Sequence, residues 1–195
     1  MIDIKALIAT KQPVPDGITH YDGDLNLFKY PHRLPAGFTH CSGALELMKY
    51  PHTLPSGFTH SDGLNLGYYD YKLPESFTHS KGDLYLEGYP HRLPSGFTHC
   101  IGYLNLCAYD HPLPEGFVGC NGLDICAYPH ELPESFINCE GNLYLAGYEH
   151  ELPSGFNHCE GTLYLCDYTC KLPSGFTYGG DLHSENYDYE LPRAV

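Results

Sequence analysis

Residues 93–112 read LPSGFTHCIGYLNLCAYDHP. This stretch decides the fold, because the chain writes close variants of it end to end. Aligned on Leu-Pro, the unit is L-P-x-G-F-T-H-C-x-G-x-L-x-L-x-x-Y-x-H-x. The dipeptide returns at Leu34-Pro35, Leu54-Pro55, Leu73-Pro74, Leu93-Pro94, Leu113-Pro114, Leu132-Pro133, Leu152-Pro153, Leu172-Pro173 and Leu191-Pro192, with Val14-Pro15 as a variant first copy. The steps are of twenty residues, except for nineteen-residue units starting at Leu54, Leu113 and Leu172. Their placement in every third unit suggests an adjustment of twist or an old three-unit duplication.

A unit this short cannot bury its own apolar face, whereas stacked copies can. Its strand signal is the L-x-L triplet, as in Leu25-Asn26-Leu27, Leu104-Asn105-Leu106 and Leu143-Tyr144-Leu145. Alternation along a strand turns both leucines inward and the middle residue outward. Pro and the Gly or Ser two residues later mark turns or extended segments. The glycines before the strand, Gly43, Gly82, Gly102 and Gly161, suit a turn that needs positive φ. The expected fold is all-β: a single solenoid of about nine coils, each giving one short strand to one parallel sheet. Residues 1–13 form an N-terminal cap, with DIKALIATK (3–11) its only helical pattern. Residues 14–192 form the coils and 193–195 a tail.

Stacking puts like residues over like. Phe38, Phe58, Phe77, Phe97, Phe117, Phe136, Phe156 and Phe176, with Ile18 at the start, form one expected core ladder. Tyr30, Tyr50, Tyr69, Tyr89, Tyr109, Tyr128, Tyr148, Tyr168 and Tyr187 form a second, with rings buried and hydroxyls at a wet edge. Cys41, Cys100, Cys120, Cys139 and Cys159 share a position with Ser61 and Ser80, as small inward fillers do. Cys107, Cys126 and Cys166 follow the second leucine, where alternation exposes them. All but one of the thirteen histidines fall at two repeat positions, headed by His20 and His32. Single-file columns of one residue type suit stacked, hydrogen-bonded rings better than a tetrahedral zinc site. Neither a metal nor a cofactor is expected.

The final unit, LPSGFTYGGDLHSENYDYELP, resembles the leucine-rich-repeat-like arrays of bacterial and phage proteins, of the form L-P-x-G-L-x-V-G-G-x-L-x-L. The likeness spans residues 14–192. Here Phe replaces the Leu after Pro-x-Gly, a His-Cys pair commonly precedes the glycine, and Tyr stands at the place of the family's Asn ladder. The resemblance implies a recognition scaffold and says little about activity. Because it includes phage proteins, it suggests an inhibitor of a host protein, including one that presents acid where nucleic acid would bind.

The net charge of −14 argues against nucleic-acid backbones and anionic membranes as direct partners. It is unevenly spread. Residues 1–97 carry ten acids and eight bases, net −2, and residues 98–195 carry fourteen acids and two bases, net −12. This serves either solubility or the docking of a basic surface. No run approaches the roughly twenty apolar residues of a membrane span. The first residues lack a basic-then-apolar export signal, and nine cysteines without a C-x-x-C pair read as reduced thiols of a cytoplasmic protein.

The candidate binding residues lie on the outward strand face. Tyr85, Tyr144 and Tyr164 occupy the middle of L-x-L and Tyr103 lies on the same side, beside Asp83, Asn105, Asp124 and Asn142. Aromatic residues there either recognise a partner or register the sheet. No phosphate loop, H-E-x-x-H or G-x-S-x-G stands outside the repeat. The expectation is a non-enzymatic binder of another protein through its strand face and acidic C-terminal half. The alternative is a structural or self-assembling solenoid, dimerising through the edge of its last coil. An ice-binding face would need a regular Thr array, and Val118, Ile137 and Asn157 interrupt the one begun at Thr39.

Overall fold

The structure, a computed structural model, describes residues 3–195. Residues 1–2 of the expected cap lie outside the described residues. The chain forms a parallel β-solenoid of about nine turns with 3% helix. Ile4–Ala9 makes the one helix among the described residues, with the Asp3 side chain accepting from the N–H of Ala6. It lays Ile4 and Ile8 over the first coil.

The ladders face inward. Every phenylalanine from Phe38 to Phe176 at the repeat position is at most 3% exposed, and Ile18 is partly buried against the same core. Buried, each contributes on the order of 2–3 kcal/mol. Both leucines of each L-x-L triplet and the Cys41, Ser61, Ser80, Cys100 column are buried too. The tyrosine ladder is buried as rings, but its hydroxyls do not reach a wet edge. Tyr50 Oη accepts from the N–H of Leu34 and donates to the carbonyl of His32, each at 3.0 Å. Tyr109 does the same with Leu93 and His91 at 3.0 and 3.1 Å. The Leu-Pro corner leaves a buried N–H that no ladder satisfies, and a phenol from the next coil supplies the acceptor.

Strand pairing departs from one strand per coil in one sheet. A twelve-stranded and a three-stranded parallel sheet form, the smaller from His158–Cys159, Thr177–Tyr178 and Arg193–Ala194. Strands His40–Glu46, His60–Asn65, His99–Asn105 and Gly119–Asp124 are continuous. The first, fourth, seventh, eighth and ninth coils instead hold two short strands around a bend, as at His79–Ser80 and Leu84–Tyr85. In the first, fourth and seventh, Asp24, Asp83 and Asn142 put a side-chain oxygen where a backbone carbonyl would pair, accepting from the N–H of Ala44, Tyr103 and Thr162 at 2.8–2.9 Å. The three-coil period of the sequence therefore recurs in these side-chain bonds.

That arrangement corrects the reason for the pre-strand glycines. Gly43, Gly82, Gly102 and Gly161 do not have positive φ. They are small because the preceding coil bears on them: a Cβ on Gly102 would stand 2.5 Å from the amide nitrogen of Asp83. Left-handed φ appears instead just before each ladder tyrosine, at Lys29, Lys49, Tyr68, Ala108, Ala127, Asp167 and Asn186 (51–59°), with glycine there only as Gly88 and Gly147.

Equivalent rings stack from coil to coil. Along the tyrosine ladder, near-parallel rings from Tyr30 to Tyr187 lie 6.1–6.5 Å apart. On the strand face, Tyr144 and Tyr164 are 4.3 Å apart.

Candidate recognition surface on the strand face

The middle residue of L-x-L points out of the sheet, and its identity decides its task. In the first three coils it is Asn26, Glu46 and Asn65. Each side chain accepts from the N–H two residues on, at Phe28, Met48 and Gly67, at 2.8–2.9 Å. This caps the turn that ends the strand. Asn105 and Asp124 do the same for Cys107 and Cys126 at 2.9 and 3.0 Å. Of the predicted binding residues, then, Asn105 caps a turn, while Asp83 and Asn142 bind the next coil's backbone.

The tyrosines behave differently. A phenol at the middle position cannot cap, and among the described residues the N–H groups of Glu87, Ala146 and Cys166 receive no side-chain acceptor. The rings assemble instead. Tyr85 meets Tyr103 at 6.3 Å. Tyr103 leans over the sixth coil to reach Tyr144 edge-on, also at 6.3 Å. Tyr144 stacks on Tyr164, and Tyr164 on His183 at 4.6 Å with planes 1° apart. The four predicted tyrosines thus form one strip from the fourth coil to the eighth. His183 extends it and was not among the predicted residues. Its signal was present: it is the one histidine off the two repeat positions.

Carboxylates border the strip. Tyr85 Oη donates to Asp83 at 3.3 Å and Tyr103 Oη to Asp124 at 2.9 Å. Tyr103 Oη and the N–H of Cys126 donate to Asp124, with the Cys107 and Cys126 thiols close by, and together they hold its carboxyl below the usual range despite its partial burial. Burial and that same carboxylate push the Cys107 thiol up to about 11 and the Cys126 thiol to about 12. These thiols are half-buried, where alternation alone had exposed them.

The histidine columns are structural. His20, His40, His60, His79 and His99 stack at 5.0–5.7 Å, each Nδ1 paired with the hydroxyl of the preceding threonine. Burial, Lys81 and neighbouring imidazoles hold His60 below its usual range. The second column turns edge-on to the tyrosine ladder, and His52 and His111 Nε2 reach the carbonyls of Pro31 and Pro90 at 2.8 and 2.9 Å. The Thr39 and Thr59 hydroxyls also bond backbone carbonyls of the preceding coil, so they are not a free array facing water.

No protein family, curated protein or solved structure matches the chain. Among the described residues, no helix is long and apolar enough to cross a membrane.

Proposed function

We propose that the strand face is a recognition surface for another protein, and that the chain acts as a binder and not as an enzyme. The observation that carries this is the strip Tyr85–Tyr103–Tyr144–Tyr164–His183. It is outward-facing, spans six coils and, Tyr103 apart, is built where the fold elsewhere places turn-capping Asn, Asp or Glu. Aromatic anchors on a rigid scaffold are what protein interfaces favour. The bordering Asp83 and Asp124, the latter on the net −12 half, favour a basic partner surface. An inhibitor of phage or bacterial origin acting on a host protein, including one that mimics nucleic acid, is the concrete form that the leucine-rich-repeat-like resemblance suggests. The raised thiols support a binding role, since a protonated thiol is a poor nucleophile. Nine free cysteines fit a reducing, cytoplasmic setting.

The test is capture from the native host by the tagged chain and by a Tyr85→Ala/Tyr144→Ala/Tyr164→Ala variant, at low and high salt. The parent should retain a basic protein that the variant loses and that salt releases. Equal capture by both would overturn the strand-face assignment.

A second reading is end-to-end self-association. Arg193–Ala194 is an exposed edge strand of the smaller sheet, beside Leu191 at 50% and Val195 at 78% exposure. Sedimentation at two concentrations separates it: a dimer that persists when Leu191→Lys is introduced rules out this edge.

A further inference from the structure

Cys107 and Cys126 stand at the same repeat position in the fifth and sixth coils, with Asp124 between their side chains. Nineteen residues separate the cysteines, so a single coil step superimposes them. Their sulfurs and an Asp124 carboxylate oxygen all lie within 4.8 Å of one another. Ligands around a tetrahedral zinc, with bonds of about 2.0–2.3 Å, stand roughly 3.3–3.8 Å apart. Rotamer adjustments of about an ångström would close the set.

The surroundings hold these groups in place. The turn caps from Asn105 and Asp124 fix the backbone at Cys107 and Cys126. Tyr103 Oη holds Asp124 Oδ2 at 2.9 Å, the kind of outer hydrogen bond that orients a metal-binding carboxylate. No other coil repeats the set. The same position elsewhere carries Phe28, Met48, Gly67, Glu87, Ala146 and Glu185, and Cys166 faces only Glu185.

We infer that Cys107, Asp124 and Cys126 form a binding site for one borderline-soft divalent metal ion, zinc being the fitting class. Two sulfurs and one oxygen match zinc preference and disfavour magnesium and calcium. Binding forms two metal–sulfur bonds and one metal–oxygen bond, and two thiol protons go to solvent. The half-buried ligands leave a fourth position reachable by water or by a donor from outside the chain. The ion would pin the fifth coil to the sixth under the centre of the aromatic strip. This inference does not depend on the strip's partner.

The test uses the full chain, reduced and metal-stripped, titrated with Co²⁺ and followed by absorption. Thiolate-to-cobalt charge-transfer bands with intense tetrahedral d–d bands should appear at one equivalent, and Zn²⁺ should displace them. Histidine columns can bind cobalt but give no sulfur charge transfer. Cys166→Ser should keep the bands, while Cys107→Ser and Cys126→Ser lose them. Tyr103→Phe, which keeps all three ligands, should weaken zinc affinity roughly tenfold. Near-ultraviolet circular dichroism confirms that each variant is folded, and Asp124→Asn supplies an isosteric second loss of affinity. Absence of sulfur charge transfer in the folded parent, or its survival in folded Cys107→Ser, overturns the site.

Discussion

The strand faces of the first three coils and of the last six share one backbone and carry different chemistry. In the first three, Asn26, Glu46 and Asn65 cap the turn that follows. In the last six, Asn105 and Asp124 still cap, but Tyr85, Tyr144, Tyr164 and His183 do not. Each cap is worth about 0.5–1.5 kcal/mol. Giving it up at four coils in favour of outward aromatics fits a surface kept for something other than folding. The inward side teaches the reverse. Its Phe, Leu and Tyr ladders run through both regions unchanged because every coil must bury the same cross-section.

The comparison can be broken first at the glycines that both regions share. Gly102→Ala should cost more than about 3 kcal/mol or prevent folding, since backbone of the preceding coil occupies the space of the new methyl. Gly116→Ala, which meets only a Thr98 methyl at 4.0 Å, should be close to neutral by urea denaturation. Equal effects would mean that the pre-strand glycines are not set by coil contact.

The buried phenols come next. Tyr109→Phe strands the N–H of Leu93 and the carbonyl of His91, and should lower unfolding free energy by about 1–3 kcal/mol. Tyr85→Phe, on the outer face, should change it by less than about 0.5 kcal/mol. The same ladder sets an alkaline limit. Burial raises Tyr50 and Tyr89 from their ordinary value of 10.0 to about 12. The unfolded chain therefore loses these protons first, and the stability they carry is intact below pH 10 and lost as pH rises toward about 12. Tyrosinate absorbance should appear together with loss of circular dichroism. Ionisation of all phenols at pH 10 without unfolding would contradict the burial.

The smallest effect is expected at the left-handed turn residues. Ala108→Gly should stabilise by about 0.5–1 kcal/mol, the relief of a left-handed φ of 56° less the entropy glycine adds to the unfolded chain. Gly88→Ala should do the opposite in the neighbouring coil.

The inward half of this architecture was legible because burial repeats with the sequence: Phe38 to Phe176 and the leucine pairs needed only their spacing. The outward half was legible as a list of residues and not as contacts. Tyr103, one position before the strand leucine, touches Tyr144 two coils away, and such reach depends on how far the intervening sixth coil lets it lean. Cys107 and Cys126 were visible as one repeat position, but their meeting at Asp124 depends on coil register that a single nineteen-residue step sets. The glycines were misread because a small residue can answer a φ requirement or a close neighbour, and only the neighbouring coil tells which.

The most direct measurement is the unfolding free energy of a Tyr85→Asn/Tyr144→Asn/Tyr164→Asn chain against the parent in urea. Three restored caps should offset the lost ring stacking, leaving stability unchanged or higher by about 1–2 kcal/mol. A fall of more than about 3 kcal/mol would show that the aromatic strip holds the coils together, and the account of it as a surface reserved for a partner would fail.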